Sequence, residues 1–342
     1  MKNKKLLLSI IIFSTILTTF SFYFYQVFFS PNFLINDPEK KIYIDNSTTF
    51  KELQNTLHNK GYINDLVSFS FLAKIMKYNM NIKPGAYVIE SNMSNYALIQ
   101  KLRSGDQTPI NITFSYARRI EDLAPIITNK LKIDEDEFMN YIKLNENNLY
   151  GFDRNNILSM FLPDTYQVYW NITVKELFER MYKEHSKFWN NKRKDKLKKL
   201  GLEIIDFSTL ASIVSSETNN IDEAKKIAGV YINRLRNNML LAADPTLVYA
   251  ANDYSIKRVL NKHKKIKSPY NTYINKGLPP GPIKMSSKKM IDATLDYKNH
   301  DFFFFCLKDD FSGYHVFATK LSEHNRNAKK LHRALNKRKI YQ

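Results

Sequence analysis

At 342 residues the chain exceeds one small module, and its length suggests two or three domains. Lys+Arg 52 against Asp+Glu 33 leaves a net charge of +19, while 44% hydrophobic and 13% aromatic residues exclude a disordered chain. The single cysteine excludes a disulfide framework or a CxxC zinc site, and 9 Gly, 11 Pro and no sustained heptad exclude collagen-like, linker and coiled-coil classes.

The 24 residues Leu6–Phe29 carry no charge. As a helix they would span roughly 36 Å, enough for a hydrocarbon core of about 30 Å. Lys2, Lys4 and Lys5 precede the run, whereas Asp37, Glu39, Lys40 and Lys41 mix after it. This bias predicts a single-pass helix with residues 1–5 in the cytoplasm and everything after Pro31 outside the cytoplasmic membrane. A cleaved signal peptide is the alternative; the bulky exit Phe24–Phe29 offers it no small-residue cleavage site. Translocation also weakens the nucleic-acid reading of the charge. No RRM, helix-turn-helix or finger signature supports it, and lysine runs such as 191–196 read as solvated helix faces.

After the anchor (6–29), residues 36–107 read as a compact βααβ unit with one further helix. Ile42–Ile44 is a strand, Ser47-Thr48 offers N-cap chemistry to a helix ending at Gly61, and a second helix covers 68–77. Pro84-Gly85 turns into the strand Tyr87–Ile89, and Ser94 or Asn95 caps a helix stopping near Gly105. Residues 108–200 form a connecting region: a strand at 108–114, helices at 120–131 and 134–144, an extended 161–170, and a basic helix at 174–200. Residues 201–342 complete the chain as a larger α+β domain.

Chemistry concentrates in that last part. Ser208 is a plausible N-cap for a helix through Leu210, Ile213, Val214 and Glu217. Leu210, Val214 and Glu217 fall at i, i+4 and i+7, so the glutamate continues an apolar face where packing alone would place Leu or Met. A carboxyl withdrawn from water favours its neutral form, and a protonated carboxylic acid is what general-acid cleavage of a glycosidic bond requires. The bland alternative is a boundary glutamate paired with Lys225 or Lys226. A helix from near Asp222 ends in Tyr231–Leu235; then follow Ala243–Tyr249, with an Asp-Pro step that interrupts helix, Ser268–Tyr273 and Gly277–Pro282. Rigid turns carrying tyrosines and amides suit a sugar groove, and they equally suit ordinary loops.

Glu217-Thr218, Asn233-Arg234-Leu235, Asp244-Pro245-Thr246, Tyr249, Ser268–Tyr273 and Gly277–Pro282 stand in the order found in YceG-like, MltG-type endolytic murein transglycosylases, which the chain resembles. Phe161–Tyr166, His315-Val316-Phe317 and His324-Asn325 resemble further signatures, and 42–105 looks like the family's LysM-like subdomain. The resemblance implies cleavage of the β-1,4 bond between N-acetylmuramic acid and N-acetylglucosamine without water, leaving 1,6-anhydro ends. It also implies a role in terminating nascent strands beside peptidoglycan synthases, with no cofactor, metal or nucleic acid. Glu217 would be the sole catalytic residue, as acid and then base. Thr218, Asn233, Asp244, Thr246, Tyr249, Tyr270, Asn271, Tyr273 and His315 would contact substrate. Among them Thr246, Asn271 and Tyr273 are expected to orient its hydroxyl and N-acetyl groups, and Asp244 to brace the loop facing Glu217.

Two positions depart from the family pattern. Ala242 replaces a frequent glutamine, and Ser115–Arg118 replaces an acidic-Gly pair, which is expected to affect an inter-domain hinge. His263, His300, His315 and His324 lack metal-ligand spacing. Cys306 is expected to be a buried strand thiol, and the sequons at Asn111 and Asn171 read as accidental. Two competing functions stay open: a non-catalytic wall-binding scaffold, and a muramidase that adds water.

Overall fold

The computed structural model describes residues 2–145, 149–256 and 258–338; the expected domain ends at 1 and 342 lie outside them. The chain is mixed α+β and divides into two compact units. One contains residues 1–111, 130–132 and 167–172, and the other 112–129, 133–166 and 173–342.

The first unit begins with α1 (Lys2–Phe29), whose stretch from Lys4 has a mean hydropathy of 2.0, long and apolar enough to cross a bilayer. β1 (Pro31–Phe33), β2 (Glu39–Ile44), α2 (Phe50–Asn59), α3 (Leu66–Ile75), β3 (Gly85–Glu90), β4 (Met93–Ser94) and α4 (Asn95–Ser104) follow. The βααβ order is present, and β2 pairs antiparallel with β3 from Glu39↔Glu90 to Ile44↔Gly85. The short pair β1–β4 had no sequence signal.

Local chemistry sets the helix ends. Thr49, not Ser47 or Thr48, caps α2, because Glu52 three residues on returns a bond to it as a capping box. Asp65 accepts from Val67 and Ser68 and so starts α3 two residues before Ser68. Ser94 caps α4, which Gly105 ends in the left-handed conformation (φ 76) that favours glycine. Ile42, Ile44, Leu53, Leu57, Phe69, Leu72, Tyr87, Leu98 and Leu102 form this unit's core. Val27 of α1 is buried in the same core. The chain leaving α1 is clamped by a buried amide network. Asn95 donates to the Val27 carbonyl (2.9 Å), and Asn32 donates to Asn95 (2.7 Å) and to the Asp65 carbonyl (2.8 Å).

Beyond it come β5 (Ile110–Phe114), α5 (Ile120–Thr128), α6 (Glu135–Leu144), β6 (Asp164–Val168), α7 (Val174–Phe188) and α8 (Asn191–Leu200), with β5 paired to β6. The expected single helix over 174–200 is two. Trp189 is buried against Phe207, and Asn190 turns its side chain to accept from Arg193 N, which caps a new helix instead of continuing the old one. Arg193 spans to Asp292 with two guanidinium bonds (2.7 and 2.8 Å), so this lysine-rich run also carries a structural ion pair.

The remainder comprises α9 (Ile204–Glu217), α10 (Ile221–Arg236), α11 (Asp244–Ala251), α12 (Lys288–Leu295), β7 (Phe304–Leu307), β8 (His315–Ala318) and α13 (Leu321–Lys337). α9 is the central element, buried from Phe207 to Ser215 among α10, α12 and the 283–286 segment. It begins four residues before Ser208, which is not its cap: the Ser208 hydroxyl donates back to the Ile204 carbonyl (2.7 Å). Pro245 sits in the first turn of α11, where its missing N–H costs nothing, so the Asp-Pro step opens a helix. β7 and β8 form an antiparallel pair with Cys306 opposite Val316. Cys306 is half-buried rather than buried, because a sheet of only two strands leaves it partly uncovered.

Candidate active site

Glu217 is the last residue of α9 and lines a cavity of about 530 Å³ with Ser216, Asp244, Pro245, Val248 and Tyr249. Neither Lys225 nor Lys226 pairs with it. Its partner is Tyr231 of α10, whose hydroxyl donates to Oε1 at 2.6 Å. Burial pushes the Glu217 carboxyl up to about 7; the Tyr231 hydrogen bond and the Arg234 charge oppose the rise, and the Asp244 charge adds to it. Tyr231 is buried, and burial together with the neighbouring Glu217 raises its own pKa well above the usual phenol value, so it remains a donor. The pair can hold or release one proton near neutrality.

A stripe of small polar residues on α9 anchors the opposite wall. Ser212 accepts from Ile283 N (3.0 Å), Ser215 meets Ser286 (3.2 Å), and Lys284 Nζ donates to the Ser215 carbonyl (2.6 Å). This stripe was invisible in the hydrophobic pattern, which marked only the Leu210–Val214–Glu217 face. The preceding Pro-Pro-Gly-Pro turn carries a glycine for want of space: a Cβ on Gly281 would lie 2.1 Å from the Asn155 carbonyl oxygen. Gly281→Ala should therefore destabilise the protein by about 1–3 kcal/mol, the usual cost of overpacking. Thermal unfolding should register it as a drop of roughly 2–8 °C.

The expected substrate contacts divide by position. Asp244 and Tyr249 open on the cavity. Burial raises the Asp244 carboxyl pKa, against a lowering hydrogen bond from Tyr273 and the charge of Lys264. Tyr249 packs on Tyr270 (ring centroids 4.7 Å) and lies under the Arg119 guanidinium at 4.3 Å.

The others are engaged in the walls. Asn271 is fully buried and donates to the Lys264 and Ile266 carbonyls (3.0 and 2.7 Å). Thr246 is buried and shares a 2.8 Å hydrogen bond with Thr272. Asn233 donates to the His300 and Phe302 carbonyls (2.7 and 3.1 Å), while Arg234 reaches the Phe303 and Leu241 carbonyls. Thr218 donates to Glu223 Oε2 (3.1 Å). His315 does not face the cavity: its backbone N–H donates to Glu223 Oε1 (2.6 Å), and Nδ1 lies 3.1 Å from Oε2.

Sequence reasoning missed Tyr116 and Arg118. Both line the cavity, so the departure at Ser115–Arg118 falls on the site wall. No local periodicity could have revealed this, since they lie about a hundred residues before Glu217. Ala242, at the other departure, takes a left-handed backbone (φ 45) and donates its N–H to the Thr272 carbonyl (3.0 Å). His300 is held at both ring nitrogens, Nε2 at 2.9 Å from the Lys226 carbonyl and Nδ1 accepting from Phe302 N (3.1 Å), and His263 Nδ1 accepts from Leu260 N. No cluster of three or more metal-binding side chains occurs among the described residues.

Residues 42–330 match the YceG-like family. An endolytic murein transglycosylase of Bacillus subtilis (strain 168) is 28% identical, the alignment covering 84% of each chain. One of Streptococcus pneumoniae serotype 2 is 24% identical over 95% of this chain, which spans 64% of that protein's length. Among solved structures, a putative yceG-like protein from Listeria monocytogenes shares the fold, with a TM-score of 0.54 at 24% identity, covering 84% of this chain and 98% of that one. By this match along most of its length, the chain belongs to the YceG-like family.

Proposed function

We propose that the protein is a membrane-anchored endolytic murein transglycosylase, a lyase that cuts the β-1,4 bond between N-acetylmuramic acid and N-acetylglucosamine and leaves 1,6-anhydro ends. The observation that carries this reading is Glu217, a half-buried carboxyl on a cavity wall, pushed up to about 7 and hydrogen-bonded by Tyr231. A two-carboxylate hydrolase needs a second acid as nucleophile or to activate water. A lytic enzyme needs one, because the substrate's own 6-hydroxyl attacks the anomeric carbon. Glu217 donates its proton to the leaving glycosidic oxygen, then as carboxylate takes the proton of that hydroxyl. No water has to be positioned, and the intramolecular attack gains effective molarity.

In this reading residues 201–342 perform the chemistry, with Tyr116 and Arg118 completing the wall. Asp244 and Tyr249 touch sugar. Thr218, Asn233, Thr246, Tyr270, Asn271, Tyr273 and His315 act by holding the residues that do. The βααβ unit within 36–107 serves as a LysM-like glycan binder. α1 remains uncleaved, with its N-terminus in the cytoplasm. Support for retention comes from Val27, which contributes to the core and accepts from Asn95, a contact that cleavage would remove. Tethered there, the enzyme meets newly made strands beside their synthases and terminates them.

Digestion tests the reading. Full-length protein in detergent micelles is incubated with uncrosslinked glycan strands, and the products are weighed by mass spectrometry. Ends one water lighter than the reducing sugar are expected. Reducing ends would make the protein a muramidase, and intact strands a binding scaffold.

A further inference from the structure

We infer that Arg118 and Lys284 form an anion-recognition subsite in the cavity, which selects glycan carrying a carboxylate or phosphate near the scissile bond; the inference rests on the glycan reading above. Both side chains line the same cavity as Glu217. Arg118 is positioned by rings: its guanidinium lies 3.9 Å from the Tyr254 ring centroid and 5.2 Å from that of Tyr116. Ring contacts of this kind place a guanidinium without using its N–H groups, which stay available for bidentate bonding. Only the backbone N–H of Arg118 reaches Asp122 (3.1 Å). Among the described residues, no carboxylate pairs with the side chain of Arg118 or Lys284. Lys284 spends one donor on the Ser215 carbonyl and keeps two.

The charges around the cavity reinforce this. Burial depresses the Lys284 ammonium, and the nearby Arg118 charge depresses it further, so two like charges that no carboxylate pairs among the described residues face one hollow. Arg258 adds a third cation to the lining, and among the described residues neither carboxyl of the lining, Glu217 or Asp244, forms an ion pair with any of the three. An anion brought by the substrate would relieve that repulsion. Three features of murein could bring one: the lactyl carboxylate of a peptide-free muramic acid, the carboxylates of its peptide substituents, or a phosphate at the strand end.

Binding separates these sources without relying on cleavage. Full-length Glu217→Gln in micelles is titrated calorimetrically with four probes: neutral chitotetraose, chitotetraose 1-phosphate, a peptide-free muramyl tetrasaccharide and the same tetrasaccharide carrying its peptides. At least one anionic probe should bind about tenfold tighter than chitotetraose, the low end for a charge-assisted hydrogen bond. Adding Arg118→Gln should bring that ratio toward one, and Arg118→Lys should restore part of it. Equal affinity for all four probes, or a preference indifferent to Arg118, overturns the subsite. The two readings fail separately. Strands cut by the parent enzyme with a ratio of one would remove the subsite and keep the lyase, whereas an Arg118-dependent ratio with uncut strands would do the reverse.

Discussion

Glu217→Gln should fold, bind glycan and lose at least about 10² in kcat for strand cleavage, the low end of what a positioned acid supplies. The amide matches the carboxyl in shape and can still accept from Tyr231, so the 2.6 Å contact survives while the transferable proton does not. Stability provides the control. Glu217 titrates near 7 in the folded protein against 4.5 ordinarily, so between those values the folded state binds more protons than the unfolded one. The sign follows: its ionisation costs stability as pH rises through that window and contributes nothing below it. The cost is on the order of 3 kcal/mol above pH 7. Glu217→Gln should therefore melt no lower than the parent at pH 8 and close to it at pH 4. An inactive variant that melts much lower would report misfolding, and full activity would remove Glu217 from the mechanism.

Activity of the parent should fall with rising pH, its kcat/KM bending near pH 7 and dropping about tenfold per unit beyond, as expected when one acid form carries the first step. The neighbours of Glu217 should move that bend in opposite directions. The Tyr231 hydrogen bond favours the carboxylate, so Tyr231→Phe raises the Glu217 pKa further and extends activity to higher pH. The Asp244 charge disfavours the carboxylate, so Asp244→Asn lowers the pKa and brings the fall to lower pH. Initial rates on uncrosslinked strands from pH 5 to 9 read all three profiles. A flat profile, or a bend that both variants shift in the same direction, would mean that some other group limits the rate.

Sequence alone determined what depends on near neighbours. The uncharged run Leu6–Phe29 becomes α1, and Ser94 and Gly105 bound α4 as expected. The continuation of the Leu210–Val214 face to Glu217 marked a carboxyl whose spacing carries it toward the interior. These features are legible because caps and helical periodicity act over three or four residues. Where two local signals compete, as at Trp189-Asn190, the burial of one ring decided that a continuous basic stretch would break.

Only the tertiary structure decided which polar groups share the cavity. Tyr231 reaches Glu217 from the next helix, and Tyr116 and Arg118 arrive from far upstream. The amide of Asn271, chemically suited to a sugar, is spent on the Lys264 and Ile266 carbonyls. The same donors and acceptors serve a ligand or a backbone equally well. Which they serve depends on what the folded chain places within about 3 Å, and spacing along the sequence does not encode that distance.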